Sequence, residues 1–151
     1  MRQSALSPQF VEYIPERLNE GALYISERYA TAVHLCCCGC GEEVVTPLTP
    51  ADWQLRRDGD AVSLQPSIGN WSFACRSHYW IKRNRVEWAG AMTQREIELV
   101  RRRDLRDKAR YIEETNAKKF ANRESAVPVA VPLGAPVLDR LWRVFRRWLG
   151  I

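Results

Sequence analysis

Residues His34–Glu43 read HLCCCGCGEE, so four of the chain's five cysteines fall within five consecutive positions. No other stretch restricts the fold so tightly. Thiols this close serve as a disulfide knot, a reactive nucleophile or a metal site, and each demands its own backbone path. The disulfide option is the weakest. Five cysteines leave one unpaired, and neighbours such as Cys36 and Cys37 fit disulfide geometry badly. The N-terminal MRQSALSPQFVEYIPER carries no apolar run of signal-peptide length, which places the chain in the reducing cytoplasm. Nor does any stretch approach the roughly 18 apolar residues of a membrane span.

The fifth cysteine gives the cluster its meaning. CRSHY sets Cys75 and His78 as a C-x-x-H pair well beyond Cys40. Zinc takes four sulfur or nitrogen ligands in a tetrahedron, commonly as two close pairs that the fold brings together. CGCG supplies the first pair, Cys38 and Cys40, with glycines that let the backbone turn towards the sulfurs. Cys36, Cys38 and Cys40 alternate, and on an extended strand they would share a face with His34. Cys37 would point the other way as a small buried hydrophobe. Two ligand sets therefore stand open. One is Cys38, Cys40, Cys75 and His78, built on the commoner C-x-x-H pair; the other is Cys36, Cys38, Cys40 and Cys75. Either set, closed with four ligands, makes zinc structural. A three-ligand site would instead leave a place for water, with Glu42 or Glu43 as base.

Around this cluster the chain predicts an α+β protein: a small antiparallel β domain with a zinc knuckle, then a long charged helix and a C-terminal amphipathic helix. Residues 1–92 form the β domain. FVEYI, ALYIS, TAVHL, EEVVTPL, NWSFAC and YWI…VEW are short and rich in β-branched and aromatic residues. Asp58-Gly59 marks a hairpin between WQLRR and AVSLQ. From Thr93 to Glu124 there is no glycine or proline, and Thr93 with Glu96 reads as a capping box. Its apolar stripe, Ile97, Val100, Leu105, Ile112 and Phe120, is thin, as on a solvated helix resting lightly on the β domain. Residues 125–136 form a proline-rich linker. Residues 137–151, VLDRLWRVFRRWLGI, set aromatic and leucine residues against four arginines. Such a helix docks on its own core, a protein partner or an anionic membrane surface. The net charge of +5 is mild and forms no broad patch in the β domain, which argues against nucleic acid.

PSIGNW, Pro66–Trp71, reads as a tight loop entering a strand that reaches Cys75. Its plain role is a turn capped by the Ser67 hydroxyl. Its chemical role makes Ser67 a nucleophile activated by His34 or His78, the only two histidines, with the Gly69 and Asn70 amides as oxyanion donors. Ser77, next to His78, is a weaker candidate, because strand neighbours face opposite ways.

HLCCCGCGEEVVTPLTP, VSLQPSIGNW and CRSHYWI together resemble a bacterial domain-of-unknown-function family. That family is found beside genes for ubiquitin-like proteins and relatives of their activating and conjugating enzymes. The resemblance spans roughly residues 10 to 90 and leaves the helical segments outside. It emphasises His34, Cys36, Cys38, Cys40, Ser67, Cys75, Ser77 and His78, with Cys37 at a position where a non-cysteine is expected. It implies a zinc-stabilised, deubiquitinase-like serine peptidase acting on a ubiquitin-like protein, with Ser67 and His34 as the catalytic pair and the conjugation enzymes as further partners. The alternative is a non-enzymatic, zinc-ribbon-like adaptor of the same pathway, with PSIGNW as its recognition loop.

Overall fold

Two runs of β-branched and aromatic residues, ALYIS and TAVHL, form adjacent antiparallel strands in the computed structural model, which describes residues 1–125. They are β2 (Ala22–Ser26) and β3 (Thr31–Leu35). With β1 (Ser7–Phe10) and β4 (Glu43–Pro47) they make a sheet in the order β1-β2-β3-β4. The second sheet, in the order β5-β6-β7-β8, comprises β5 (Gln54–Asp58), β6 (Ala61–Gly69), β7 (His78–Lys82) and β8 (Arg85–Trp88). One helix follows, α1 (Gln94–Ser125), so the described residues are α+β. Of the proline-rich linker expected over residues 125–136, Ser125 ends α1; the rest of it and the expected C-terminal amphipathic helix lie outside the described residues.

Two features depart from expectation. The first strand is not FVEYI but Ser7–Phe10, and it runs parallel to β2. It lies at the sheet edge, where Pro8 needs no ladder donor on its outer side. Just upstream, Ala5 bridges Arg85, and Leu6 N–H donates to the Asn84 carbonyl. The N-terminal segment thus ties one sheet to the other. The second departure is NWSFAC. It is not a strand but a chain of turns, held by the Phe73 amide on the Asn70 carbonyl and the Arg76 amide on the Phe73 carbonyl. PSIG lies instead at the end of β6, so strand and turn are exchanged relative to the sequence reading.

The hairpins follow local turn chemistry. Asp58 pairs with Ala61 across a two-residue loop that starts with Gly59 at φ +59°. Lys82 pairs with Arg85 across Arg83-Asn84, both at positive φ. Asn84 there accepts from the Val62 amide through Oδ1, at 2.7 Å, and pins the turn to β6.

Both sheets feed one core. Leu23, Ile25, Ala32 and Val44 come from the first sheet, and Val62, Leu64, Ile68, Tyr79 and Ile81 from the second. Alternation decides which residues enter it. Along β7, Tyr79 and Ile81 are buried, whereas His78 and Trp80 lie on the other, partly exposed face. The helix begins with the expected capping box: Glu96 Oε2 accepts from the Thr93 amide and the Thr93 hydroxyl accepts from the Glu96 amide. Ile97 is buried, and Lys108 pairs with Asp52 at 2.5 Å. Val100, Leu105, Ile112 and Phe120 are exposed, in keeping with a thin stripe.

Candidate active site and thiol cluster

β3 ends at Leu35, and the chain turns at once. Gly39 and Gly41 both take φ of +82°, a conformation that side chains with a Cβ rarely adopt. The expected run of alternating cysteines on one strand is therefore a turned knuckle, closed by the Cys36 amide on the Glu42 carbonyl and the Gly39 amide on the Cys36 carbonyl. The N-terminus covers it, with the Gln3 amide donating to the Cys37 carbonyl. Cys37 is fully buried in the core, and burial pushes its thiol up to about 12.

The knuckle and the turns after β6 bring Cys36, Cys38, Cys40 and Cys75 together, with all four sulfurs within 4.8 Å of one another. Individual separations are 3.4 Å for Cys36–Cys38, 3.9 Å for Cys36–Cys75 and 3.7 Å for Cys40–Cys75. Sulfurs at Zn–S bonds of about 2.3 Å in a tetrahedron lie roughly 3.8 Å apart. The group is able to hold a metal ion such as zinc. Its electrostatics agree. Burial first, then the neighbouring thiols, push Cys38 well above the ordinary thiol value. Burial also works against ionising Cys75, but hydrogen bonding with Ser77, together with Cys38 and Cys40, brings it down to about 7. A bound divalent cation would favour the thiolate form of these groups.

His78 is not in this group. Its Nε2 lies 3.0 Å from Ser67 Oγ. The register explains why: Gly69 on β6 faces His78 on β7, and Ser67, two residues back, shares that face as the diagonal neighbour. The C-x-x-H spacing suggested a ligand, but β7 begins at His78 and turns its ring to the outer face. Ser77 faces the thiols instead, with Oγ 3.1 Å from Cys36 Sγ.

His34 does not meet Ser67. It is completely buried on β3, and its Nε2 lies 2.9 Å from the Tyr79 hydroxyl. Burial lowers its imidazole to about 4, so it is neutral at pH 7. Asn70 continues the network through Nδ2, which donates to Ser77 Oγ at 2.8 Å and to the Tyr79 hydroxyl at 3.4 Å. Sequence reasoning gave Tyr79 and the Asn70 side chain no role. The expected oxyanion role of the Asn70 amide finds no support either, since that amide donates to the Ser77 carbonyl.

A cleft of about 240 Å³ opens where β6 ends, between the free edge of β4 and the following turns. Val44, Thr46, Ile68, Gly69, Asn70 and Phe73 help to line it. Neither Ser67 nor His78 lines it, although Gly69, the register partner of His78, does.

No curated protein and no solved structure matches the chain. A family described as bacterial ubiquitination-like system serine protease (BubE) matches residues 10–89, more than half of the sequence. That stretch contains both the Ser67–His78 pair and the four-cysteine group. The chain therefore belongs to the BubE family of serine proteases of bacterial ubiquitination-like systems.

Proposed function

We propose that this chain is a peptidase, or deconjugating hydrolase, that cleaves an acyl bond at the C-terminal tail of a ubiquitin-like protein. Ser67 is its nucleophile and His78 its general base. The observation that carries this reading is the 3.0 Å contact between His78 Nε2 and Ser67 Oγ, in a chain whose family is that of a serine protease. Its burial and its bond to Tyr79 speak against His34 in this role.

The steps follow from the two groups. The serine hydroxyl is a weak nucleophile until a base takes its proton as it attacks. Ser67 Oγ adds to the carbonyl carbon while His78 Nε2 accepts the hydroxyl proton. The resulting imidazolium gives that proton to the departing amine or thiol, leaving an acyl group on Ser67. Water, deprotonated by the same nitrogen, then releases the acyl group and restores the serine. The cleft lined by β4 residues and by Ile68, Gly69 and Asn70, next to Ser67 in the chain, would give an extended tail a groove.

Zinc held by Cys36, Cys38, Cys40 and Cys75 is structural in this reading. With four thiolate ligands it would supply fixed loop positions rather than a water for chemistry. Glu42 and Glu43 then have no metal-bound water to activate.

The test is a ubiquitin-like protein encoded beside this chain, fused at its C-terminus to a reporter. Wild type releases the reporter with turnover. Ser67→Ala stops release while secondary structure and metal content stay unchanged. Normal cleavage by Ser67→Ala would sink the mechanism, and stoichiometric binding without turnover by wild type would favour the adaptor reading.

A further inference from the structure

A serine–histidine pair normally depends on a third group. A carboxylate on the far imidazole nitrogen fixes the ring's tautomer and angle and steadies the imidazolium. Here that nitrogen, His78 Nδ1, is buried and meets no hydrogen-bonding partner among the described residues. Something else must set the ring.

The ring instead lies between two indoles. The Trp71 ring centroid is 4.9 Å from that of His78 at an interplanar angle of 58°, and Trp80 is 5.6 Å away at 39°. Trp80 sits two residues along β7 and shares the face of His78 by strand alternation alone. Trp71 has no such excuse, because it lies in the turns after β6 and must be brought back over the strand. Gly69 is what permits this. A Cβ built on Gly69 would fall 2.4 Å from Trp71 Cε2 and Nε1 and 2.6 Å from Cζ2, far inside contact distance. Gly69 is not among the glycines at positive φ. The missing side chain is needed for close approach, not for backbone freedom.

Resting on the reading of Ser67 and His78 above, the geometry points to Trp71 as the positioning residue of the histidine, seated on Gly69 in place of a triad carboxylate. The indole walls one side of the imidazole and limits its rotation, which keeps Nε2 on Ser67 Oγ. It also lies within the roughly 6 Å at which an aromatic ring attracts a cation, so it favours the imidazolium that forms as Ser67 attacks. Tryptophan thereby supplies orientation and charge stabilisation without a buried carboxylate that would itself need partners.

The experiment is a double-mutant cycle on the full chain, read with the ubiquitin-like reporter fusion and with the NMR resonances of the His78 ring protons. Trp71→Ala is expected to lower kcat by about 10- to 100-fold, the scale of a small misplacement of a reacting group, with KM changed by less than about 3-fold. Trp71→Phe keeps an aromatic wall and recovers most of the rate. Gly69→Ala displaces the indole and matches the defect of Trp71→Ala, yet in the Trp71→Ala background it adds almost nothing. Both single variants move the His78 ring resonances, which sit in the indole's ring-current field in wild type.

Unchanged kcat in Trp71→Ala, or a full rate in Gly69→Ala, overturns the proposal. So do additive losses in the double variant, and so does a loss that merely tracks the fraction of folded protein. The resonance shifts are also measured in Ser67→Ala, where no turnover occurs. Cleavage by Ser67→Ala refutes the Ser67 mechanism, whereas unmoved His78 resonances on removing Trp71 refute the positioning role alone.

Discussion

The two histidines occupy opposite worlds only a sheet apart. His34 lies between the sheets with no exposed surface, neutral and tied to Tyr79. His78 lies on the outer face of the second sheet, between indoles, with one nitrogen on Ser67. Both stand within a few residues of a cysteine, and local sequence treats them alike. Their difference comes from strand parity. β3 turns His34 inward and β7 turns His78 outward, so one imidazole joins the packing and the other meets the Ser67 hydroxyl. The same parity sends Ser77 to the thiols and leaves the serine two residues from Gly69 free for chemistry.

The contrast makes separable predictions. The largest effect on folding belongs to the thiol group. Replacing any one of Cys36, Cys38, Cys40 or Cys75 by serine should abolish stoichiometric zinc. Each loss should lower stability by on the order of 3 kcal/mol or more, a drop of roughly 10 °C in Tm. His78→Gln should keep the full zinc content and melt normally. Metal analysis with calorimetry checks both, and zinc loss in His78→Gln would return that residue to the ligand set.

A smaller effect belongs to the inner network. Tyr79→Phe removes the hydroxyl that partners His34 Nε2 and receives Asn70 Nδ2. Buried polar groups left without a partner cost about 1–3 kcal/mol each. Denaturant melting should show a loss of that size, while the rate per folded molecule stays near wild type. A collapse in rate with intact stability would mean that the inner histidine takes part in chemistry after all.

The smallest effect lies where α1 rests on the β4–β5 connection. Burial pulls the Asp52 carboxyl up, but Lys108 and the Thr49 hydroxyl outweigh it and hold the pKa below the ordinary carboxylate value. Folded Asp52 then binds its proton more weakly than in the unfolded chain. Its stabilisation is present at neutral pH and is lost as pH falls below about 4. Lys108 is 47% exposed, so the pair contributes no more than about 1 kcal/mol. Hydrogen-exchange protection over residues 94–108, taken relative to the intrinsic amide rate at each pH, should fall in acid, and Lys108→Ala should remove that dependence.

Much of the scaffold was legible before the structure. ALYIS and TAVHL coincide with β2 and β3, because short runs of β-branched and aromatic residues between turns leave little choice. Thr93 and Glu96 cap the helix through contacts three residues apart, which sequence spacing reports directly. What stayed hidden depends on contacts far apart in the chain. NWSFAC has the composition of a strand, yet the Asn70 and Phe73 carbonyls take the Phe73 and Arg76 amides, so the chain turns there. The ligand set was open because spacing counts residues and cannot say which face a strand presents. Cys75-x-x-His78 has the spacing of a zinc pair, but one residue of parity gives the thiols Ser77 in place of His78. The Trp71–Gly69 contact was hidden for the same reason.

Labelling with a serine-directed fluorophosphonate, followed by peptide mapping, isolates the outer pair without needing a substrate. Only a serine whose hydroxyl is activated by a base reacts quickly with such a probe. Wild type should carry the adduct on Ser67, and His78→Gln should slow labelling by about 10³-fold or more while His34→Gln labels at the wild-type rate per folded molecule. An adduct on another serine, or labelling of Ser67 that persists in His78→Gln and fails in folded His34→Gln, would exchange the roles assigned to the two histidines.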